Sequence, residues 1–119
     1  MTSIQNKVIV ITGSSEGIGA ALAIRLAAGN KLVLAARRMD KLQEVAKQVQ
    51  AAGGQVHCVA CDVTEQAQCE NLVEESVKVF GGIDMVVNNA GVSMHAWFED
   101  ITDLGTFERL FRVNVMSMV

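Results

Sequence analysis

A glycine-rich turn between two segments of different hydrophobic periodicity constrains the fold of this chain more than any other feature. Residues 12–19 are Thr-Gly-Ser-Ser-Glu-Gly-Ile-Gly. Residues 7–12 form a short β-branched run, which is typical of a strand buried on both faces of a parallel sheet. Along the segment that follows, apolar residues recur every four positions and predict the buried face of a helix. These residues are Ile18, Leu22 and Leu26.

The same alternation continues along the sequence. Further strands are predicted at residues 31–36, 56–61 and 83–87, and the helices between them are predicted to end at glycines. Four strands that alternate with four helices at intervals of ~25–30 residues predict an α/β fold with a doubly wound parallel sheet. With 119 residues and no break in composition, the chain is expected to lie within a single domain.

The predicted elements also indicate how the second helix begins, where a fourth helix lies and which strand is at the edge of the sheet. Asp40 is predicted to cap the second helix, with Gln43 in the capping-box position. A fourth helix is predicted to begin near Thr106 and to run through Asn114 to the end of the sequence. In the strand order 3-2-1-4, the fourth strand is expected at the open edge of the sheet.

Composition excludes several classes of protein. Half of the residues are hydrophobic, which excludes intrinsic disorder, and the net charge of −3 argues against a surface that follows nucleic acid. No apolar run approaches the ~20 residues of a membrane helix, and the first residues lack the pattern of a signal peptide. We therefore expect a cytoplasmic protein without a membrane segment.

Three cysteines raise the question of a metal site. Cys58 and Cys61 form a Cys-x-x-Cys pair beside His57, but all three residues lie in a predicted strand. Residues three apart in a strand point to opposite faces, and no second pair completes a set of four ligands. We expect reduced thiols and no bound metal.

The glycine turn is predicted to bind a phosphate group. It follows the first strand at the carboxyl edge of the sheet, where open α/β sheets bind ligands. Glycines let the backbone approach a pyrophosphate, and the helix N-terminus after them offers unpaired N–H groups. The spacing Gly-x-x-x-Gly-x-Gly matches neither Gly-x-Gly-x-x-Gly nor a Walker A motif. Simple turn chemistry is the alternative that these residues leave open.

Arg37 and Arg38 follow the second predicted strand, where many dinucleotide-binding proteins have an acid for the ribose hydroxyls. Two guanidinium groups instead suit a 2′-phosphate, through charge-assisted hydrogen bonds. These two residues therefore favour NADP over NAD as the cofactor. A solvated pair of charges at the entrance of a helix is the alternative.

Four short motifs occur in register along the chain. They are Thr12-Gly13-x3-Gly17-Ile18-Gly19, Asp62-Val63, Asn88-Asn89-Ala90-Gly91 and Arg112-Val113-Asn114-Val115. In order and spacing these motifs resemble those of the short-chain dehydrogenases/reductases. The resemblance covers essentially the whole chain but only the first half of a typical family domain. It implies a Rossmann-like fold, incomplete in this chain, and an NAD(P)-dependent oxidoreductase.

The resemblance also assigns roles to the matching positions. Five residues would wrap the pyrophosphate and the adenosine ribose: Gly13, Ser14, Ser15, Ile18 and Gly19. Asp62 would accept a hydrogen bond from the adenine amino group, and Val63 would supply its backbone N–H. Three further residues would line the cofactor cleft: Asn89, Ala90 and Gly91. Asn114 matches the active-site asparagine of the family and is the one predicted catalytic residue.

The activity that the resemblance implies is hydride transfer between nicotinamide and the carbon of a small carbonyl or alcohol substrate. Among such substrates it favours apolar ones, and it implies a homo-oligomer for the full-length protein. Proton transfer in the family is carried out by a Tyr, assisted by a Lys and a Ser, all after the position of Asn114. The 119 residues contain no Tyr, so the chain is expected to stop before the catalytic residues and to be inactive alone.

Glu16 departs from the family pattern, because it places a carboxylate in the phosphate loop where some NADP-using relatives carry a basic residue. The alternative function is a non-catalytic module that binds or senses a dinucleotide. A Ser and a Tyr-x-x-x-Lys further along the reading frame would distinguish an enzyme from such a module.

Overall fold

The computed structural model describes residues 4–89 and 115–117. These residues form five strands and three helices that alternate as far as the fourth strand. The strands are β1 Val8–Thr12, β2 Lys31–Ala36, β3 Gln55–Ala60, β4 Met85–Asn88 and β5 Val115–Ser117. The helices are α1 Gly17–Leu26, α2 Met39–Ala51 and α3 Gln66–Phe80. The predicted strands and the first three helices are therefore present, with ends that differ by at most three residues and with β2 as predicted.

All strand pairs in the sheet are parallel, and the strand order is β3-β2-β1-β4-β5. Val10 in the middle of β1 lies opposite Val33 of β2 and Val86 of β4. After β3 the chain returns to the other side of β1, so the strand order reverses between β1 and β4. In open α/β sheets the carboxyl ends of the strands at such a reversal form the ligand-binding crevice.

Two hydrophobic cores cover the two faces of the sheet. Ile9 and Ile11 belong to the core that includes buried residues of α1 and α2, whereas Val10 belongs to the core that includes residues of α3. Alternate side chains of a strand point to opposite faces, so β1 contributes to both cores and all five of its residues are buried. The fold is therefore a doubly wound α/β sheet, as the periodicity predicts.

Helix α1 buries the predicted residue Leu26 but not Ile18, the first residue of the predicted face. Its buried residues are Gly19, Ala23 and Leu26, while the Ile18 residue is 61% exposed. The reason is the close approach of α1 to the end of β1: a Cβ at Gly19 would lie 2.3 Å from the carbonyl oxygen of Gly13. Only a residue without a side chain fits there, so Gly19 faces the sheet and its neighbour Ile18 points outwards.

The predicted cap of α2 is wrong. The helix begins at Met39, so Arg38 occupies the N-cap position and Asp40 lies in the first helical turn. No side-chain cap hydrogen bond is formed at Arg38, and the Asp40 carboxylate pairs with the Arg38 guanidinium at 2.8 Å. A carboxylate in the first turn still interacts favourably with the helix dipole, which explains why an acid suits this position.

The far edge of the sheet also differs from the prediction. Residues 115–117, which were expected to continue a fourth helix, form β5 and pair with β4, so β4 is not an edge strand. An uncovered β4 would present unpaired N–H and C=O groups, and an extended segment satisfies them. The predicted start of the fourth helix, near Thr106, lies outside the described residues. Among the residues described, no helix has the length and apolar composition to cross a membrane.

Candidate cofactor-binding site

A cleft with a volume of ≈ 510 Å³ opens at the carboxyl ends of the strands. It is lined by Gly13, Ser15, Glu16, Ala36, Arg37, Arg38, Lys41, Cys61, Asp62, Val63, Thr64 and Asn89. These residues end or follow β1, β2, β3 and β4, or lie in the first turn of the next helix, so the sheet order brings them to one edge. The cleft lies where the strand order predicts a ligand site.

Seven of the predicted site residues line this cleft: Gly13, Ser15, Arg37, Arg38, Asp62, Val63 and Asn89. Three others, Ser14, Ile18 and Gly19, belong to the glycine-rich segment 12–19 but are not part of the lining. Ala90, Gly91 and Asn114 lie outside the described residues. The roles assigned to all of these residues remain predictions.

Hydrogen bonds between β1 and β4 hold the floor of the cleft. The Thr12 hydroxyl donates to the Val87 carbonyl at 3.4 Å and accepts the backbone N–H of Asn89 at 3.0 Å. The Asn89 side-chain amide donates to the Gly13 carbonyl at 3.3 Å. The glycine turn and the end of β4 are thereby fixed relative to each other, although they are more than seventy positions apart in the sequence.

Ser14 connects the glycine turn to the neighbouring strand. Its buried hydroxyl donates to the Ile11 carbonyl at 2.9 Å and accepts the Ala35 N–H at 3.1 Å. Its own N–H donates to the Ala35 carbonyl at 3.3 Å. Both the N–H and the hydroxyl of Ser14 are therefore hydrogen-bonded within the protein, so Ser14 stabilises the turn from its buried side.

The two arginines after β2 have different environments. Arg38 pairs with Asp40 through two hydrogen bonds, at 2.8 and 3.3 Å. This pair lowers the pKa of Asp40 and raises the pKa of Arg38, in both cases chiefly through the side-chain hydrogen bond. Arg37 has no ion-pair partner within the described part of the chain. The guanidinium of Arg37 is the more available of the two for a ligand.

Asp62 presents an oriented carboxylate at the end of β3. Its Oδ1 accepts the Thr64 hydroxyl at 2.6 Å and the Thr64 N–H at 3.0 Å, and its own N–H donates to the Gln68 side chain at 2.8 Å. The bond from the Thr64 hydroxyl is the main cause of the lowered pKa of Asp62, followed by the Thr64 N–H. Within residues 4–89 no hydrogen bond engages Oδ2, so this oxygen can accept a donor from a ligand.

The sequence does not identify several of the lining residues, and Thr64 and Lys41 illustrate two different reasons. An Asp followed two residues later by Thr is the pattern of an Asx turn, which could have identified Thr64. Lys41 reaches the Glu16 carboxylate at 3.3 Å across 25 positions of sequence. No local pattern signals such a contact, because it depends on how α1 and α2 pack.

The Cys-x-x-Cys pair has the environment of packed thiols. Cys61 is buried, and Cys58 is half-buried with its thiol 3.7 Å from the Leu42 carbonyl. Burial is the main cause of the raised pKa of both thiols, and it raises the pKa of Cys61 to about 12. In the described residues, no group of three or more His, Cys, Asp or Glu side chains is placed to hold a metal ion.

Comparison with known sequences identifies relatives along the whole chain. A family model described as short chain dehydrogenase matches residues 7–119. The chain is 38% identical over 121 residues to an uncharacterized oxidoreductase of Methylorubrum extorquens, covering 100% of this chain and 48% of that protein. It is also 38% identical over 118 residues to 11-beta-hydroxysteroid dehydrogenase A of Sesamum indicum, covering 98% of this chain and 34% of the relative.

Solved structures give the same result. L-sorbose reductase from Gluconobacter frateurii, complexed with NADPH and L-sorbose, superimposes with a TM-score of 0.70 at 45% identity, over 75% of this chain and 35% of that one. An NADH-dependent reductase complexed with NAD gives a TM-score of 0.68 at 39% identity, over 74% and 37% of the two chains. This chain spans about half the length of the first curated relatives that it matches, or less. The chain therefore belongs to the short-chain dehydrogenase/reductase family and corresponds to roughly the first half of its longer members.

Proposed function

We propose that this chain supplies the adenosine half of the cofactor site in an NADP-dependent oxidoreductase. The single observation that carries the proposal is the guanidinium of Arg37, which lines the same cleft as the glycine turn and has no ion-pair partner among the described residues. The complete protein would transfer a hydride between nicotinamide and the carbon of a carbonyl or alcohol substrate. Such activity and its substrate are proposed for the longer protein.

The residues of the cleft fit a dinucleotide phosphate. Glu16 stands at the N-cap position of α1 but makes no side-chain cap hydrogen bond, so no carboxylate occupies the N–H groups at the start of the helix. Gly13 and Gly17 have φ values of 65° and 62°, and a Cβ at Gly17 would meet nothing within 4 Å. Open space beside a helix N-terminus suits a pyrophosphate, since the N–H groups and the helix dipole both favour an anion.

The preference for NADP rests on charge at the end of β2. An NAD-binding relative of this fold type usually places an acid there for the ribose hydroxyls, whereas β2 here is followed by Arg37 and Arg38. One solved relative contains NADPH and another contains NAD, so family membership leaves the choice to these local residues. Asp40 holds Arg38, and Arg37 is therefore the residue to which we assign the 2′-phosphate.

The remaining residues of the cleft position the adenine and the turn. Asp62 offers its Oδ2 to the adenine amino group, while the Thr64 hydroxyl holds Oδ1 in place. When bound, the cofactor supplies the hydride. We assign proton transfer to a Tyr beyond these 119 residues, because the family uses a Tyr and this sequence contains none.

The substrate is proposed to be a small, apolar carbonyl or alcohol compound. One relative, 38% identical along 98% of this chain, is named 11-beta-hydroxysteroid dehydrogenase A, and a steroid is an apolar compound. The sugar reductase among the solved structures shows that polar substrates also occur in the family. A cytoplasmic homo-oligomer is the form in which we expect the full-length protein to work.

The cofactor preference can be tested with ligands that contain only the adenosine half. Adenosine 2′,5′-bisphosphate and 5′-AMP differ only in the 2′-phosphate, so the ratio of their affinities, measured by calorimetry at fixed modest salt, isolates its contribution. One hydrogen bond to a charged group, at ~1.5–3 kcal/mol, predicts a ratio of about 10 to 150 in favour of the bisphosphate. Arg37→Gln should lower this ratio by about tenfold or more.

Arg25→Gln is the matched control, because Arg25 is an exposed residue of α1 outside the cleft and its replacement removes the same charge. It should leave the ratio unchanged. A wild-type ratio near one that Arg37→Gln does not alter would overturn the NADP preference and leave family membership intact.

A further inference from the structure

Glu16 and Lys41 form an ion pair at the edge of the cleft. Glu16 precedes α1 with an extended backbone, φ −162° and ψ 173°, and its carboxylate is 3.3 Å from the Lys41 amine on α2. Both residues line the cleft together with Arg37 and Arg38. The carboxylate of the phosphate loop is therefore paired with a cation from the helix that follows the arginines.

The charges around this pair nearly balance each other. Arg38 is held by Asp40, Lys41 is held by Glu16, and Asp62 faces the arginines from the end of β3. The Glu16 carboxylate also raises the pKa of Arg38, but its effect is smaller than that of Asp40. Two of the three cations that line this cleft are thus already paired with carboxylates of the protein. A 2′-phosphate arriving beside Arg37 meets an arrangement in which carboxylates compete for the same cations.

We propose that the Glu16–Lys41 ion pair is an exchangeable internal counter-ion that sets how strongly the cleft discriminates NADP from NAD. This inference rests on the proposed function. On binding, Lys41 transfers from the Glu16 carboxylate to the 2′-phosphate, and Glu16 is left unpaired next to the new anion. Lys41 is then a specificity-determining cation for the 2′-phosphate, and Glu16 lowers the affinity for ligands that carry this group.

The exposure of the pair makes the exchange possible. The Glu16 and Lys41 side chains are 75% and 40% exposed, and ion pairs between exposed side chains contribute little to stability. A phosphate monoester carries a larger negative charge than a carboxylate and has three acceptor oxygens, so it attracts the ammonium more strongly. A lysine on a flexible stem can change partners without a movement of α2.

A double-mutant cycle tests the exchange. The ratio of affinities for adenosine 2′,5′-bisphosphate over 5′-AMP is measured in wild type, Glu16→Gln, Lys41→Gln and the double variant. Both ligands carry the 5′-phosphate, so any effect of Glu16 on the pyrophosphate site cancels in the ratio. Glu16→Gln should raise the ratio about three- to tenfold, since it removes both the competition and the repulsion. Lys41→Gln should lower it about two- to fivefold.

The combination of the two substitutions distinguishes exchange from simple addition of charges. In wild type the ligand gains Lys41 only by separating it from Glu16, whereas in Glu16→Gln the lysine is free. Lys41→Gln should therefore lower the ratio by a larger factor in the Glu16→Gln background than in wild type. Equal factors in the two backgrounds, or a ratio that Glu16→Gln leaves within twofold of wild type, would overturn the proposal.

Matched controls come from the exposed face of α2. Glu44→Gln and Lys47→Gln make the same charge changes outside the cleft lining and should leave the ratio unchanged. Far-ultraviolet circular dichroism of each variant checks that the fold is retained. The proposed NADP preference fails only if the wild-type affinity ratio is near one and Arg37→Gln does not change it. This result is separate from any outcome of the double-mutant cycle of Glu16 and Lys41.

Discussion

Arg37 and Arg38 are adjacent in the sequence, yet their guanidinium groups have different partners. Arg38 is committed to Asp40, and Arg37 has no ion-pair partner in the part of the chain that the structure describes. The same contrast separates Ser14, which uses its hydroxyl inside the protein, from Ser15, which lines the cleft. One neighbouring side chain or strand thus decides which of two like residues keeps its polar group available at the cleft.

Gly19→Ala is expected to destabilise the chain. Alanine normally stabilises a helix by about 1 kcal/mol relative to glycine, but here its Cβ would lie 2.3 Å from the Gly13 carbonyl oxygen. Relief of this overlap requires a shift of the backbone turn, so we expect a net loss of about 1–3 kcal/mol in the free energy of unfolding. Urea denaturation at low protein concentration measures it.

Ala20→Gly is the control for helix propensity, with an expected loss of about 1 kcal/mol from the backbone alone. If Gly19→Ala proved as stable as wild type, the turn would have room to move and the close approach of α1 to β1 would not be required.

Thr64→Val is expected to raise the pKa of Asp62 towards its ordinary value of ~3.9. The folded-state pKa of Asp62 is lowered mainly by the Thr64 hydroxyl, which valine lacks. Because the folded pKa lies below the unfolded one, the ionised carboxylate stabilises the fold above pH ~4, and this contribution is lost as the pH falls through the folded pKa.

Titration of the Asp62 carboxyl carbon by nuclear magnetic resonance measures this pKa directly. Thr64→Ser retains the hydroxyl and should keep the pKa low, whereas Thr64→Val should retain the smaller effects of the backbone N–H and of the Arg37 charge. An unchanged pKa in Thr64→Val would assign the shift to another group.

The helices differ in the size of the residues that they bury against the sheet. α1 lies so close to the end of β1 that it buries small residues, Gly19 and Ala23, whereas α3 buries larger ones such as Leu72 and Val73. α3 ends at Phe80, and Gly81 follows with φ 85° and donates its N–H to the Val77 carbonyl at 2.8 Å. This left-handed C-terminal residue is the glycine signal that the sequence predicts.

Leu72→Ala is expected to lower the free energy of unfolding by about 2–5 kcal/mol, because it leaves a cavity between α3 and the sheet. Leu72 is fully buried in the core that α3 shares with Val10 and Val33. Val79→Ala, on the same helix, should change stability by no more than about 0.5 kcal/mol, because Val79 is 44% exposed. The midpoints of urea denaturation of the two variants measure these losses of stability. Similar losses would mean that α3 does not bury Leu72 in preference to Val79.

The sheet as a whole creates the cleft, since the carboxyl ends of four parallel strands meet at one edge. The side chains gathered there come from segments that are separated by 20 or more positions, such as Gly13, Arg37 and Asp62. None of the strand ends alone would present a binding surface. The arrangement brings together a glycine turn, a guanidinium without an ion-pair partner among the described residues, and an oriented carboxylate, which are the groups on which the proposed nucleotide site rests.

The 119-residue chain is expected to show no detectable hydride transfer. Family chemistry needs a Tyr to move the proton, and the sequence has none. Absorbance of NADPH at the nicotinamide band, followed with a panel of apolar ketones and aldehydes, measures the rate. L-sorbose reductase from Gluconobacter frateurii, a full-length relative, is the positive control with L-sorbose, and turnover by the 119 residues alone would require a different proton donor.

Periodicity and glycine placement were enough to predict the alternation of the first four strands with three helices, the parallel sheet and the position of the glycine turn at its carboxyl edge. These features depend on residues that are near each other in the sequence, because a strand of period two and a helix of period 3.6 are local patterns. The motif at Asp62 and the pair Arg37-Arg38 could likewise be assigned to strand ends, and hence to one edge of the sheet.

The tertiary structure alone decided which partners these groups have. The outward Ile18 and the strand at residues 115–117 differ from the predictions because packing and pairing between distant segments override local propensity. The Asp40 prediction failed for a local reason, because α2 begins at Met39 and the Asp40 carboxylate pairs with Arg38. The Glu16–Lys41 pair spans 25 positions and depends on how two helices approach each other. Charge contacts act through space, so their partners are fixed only when the sheet has brought the strand ends together.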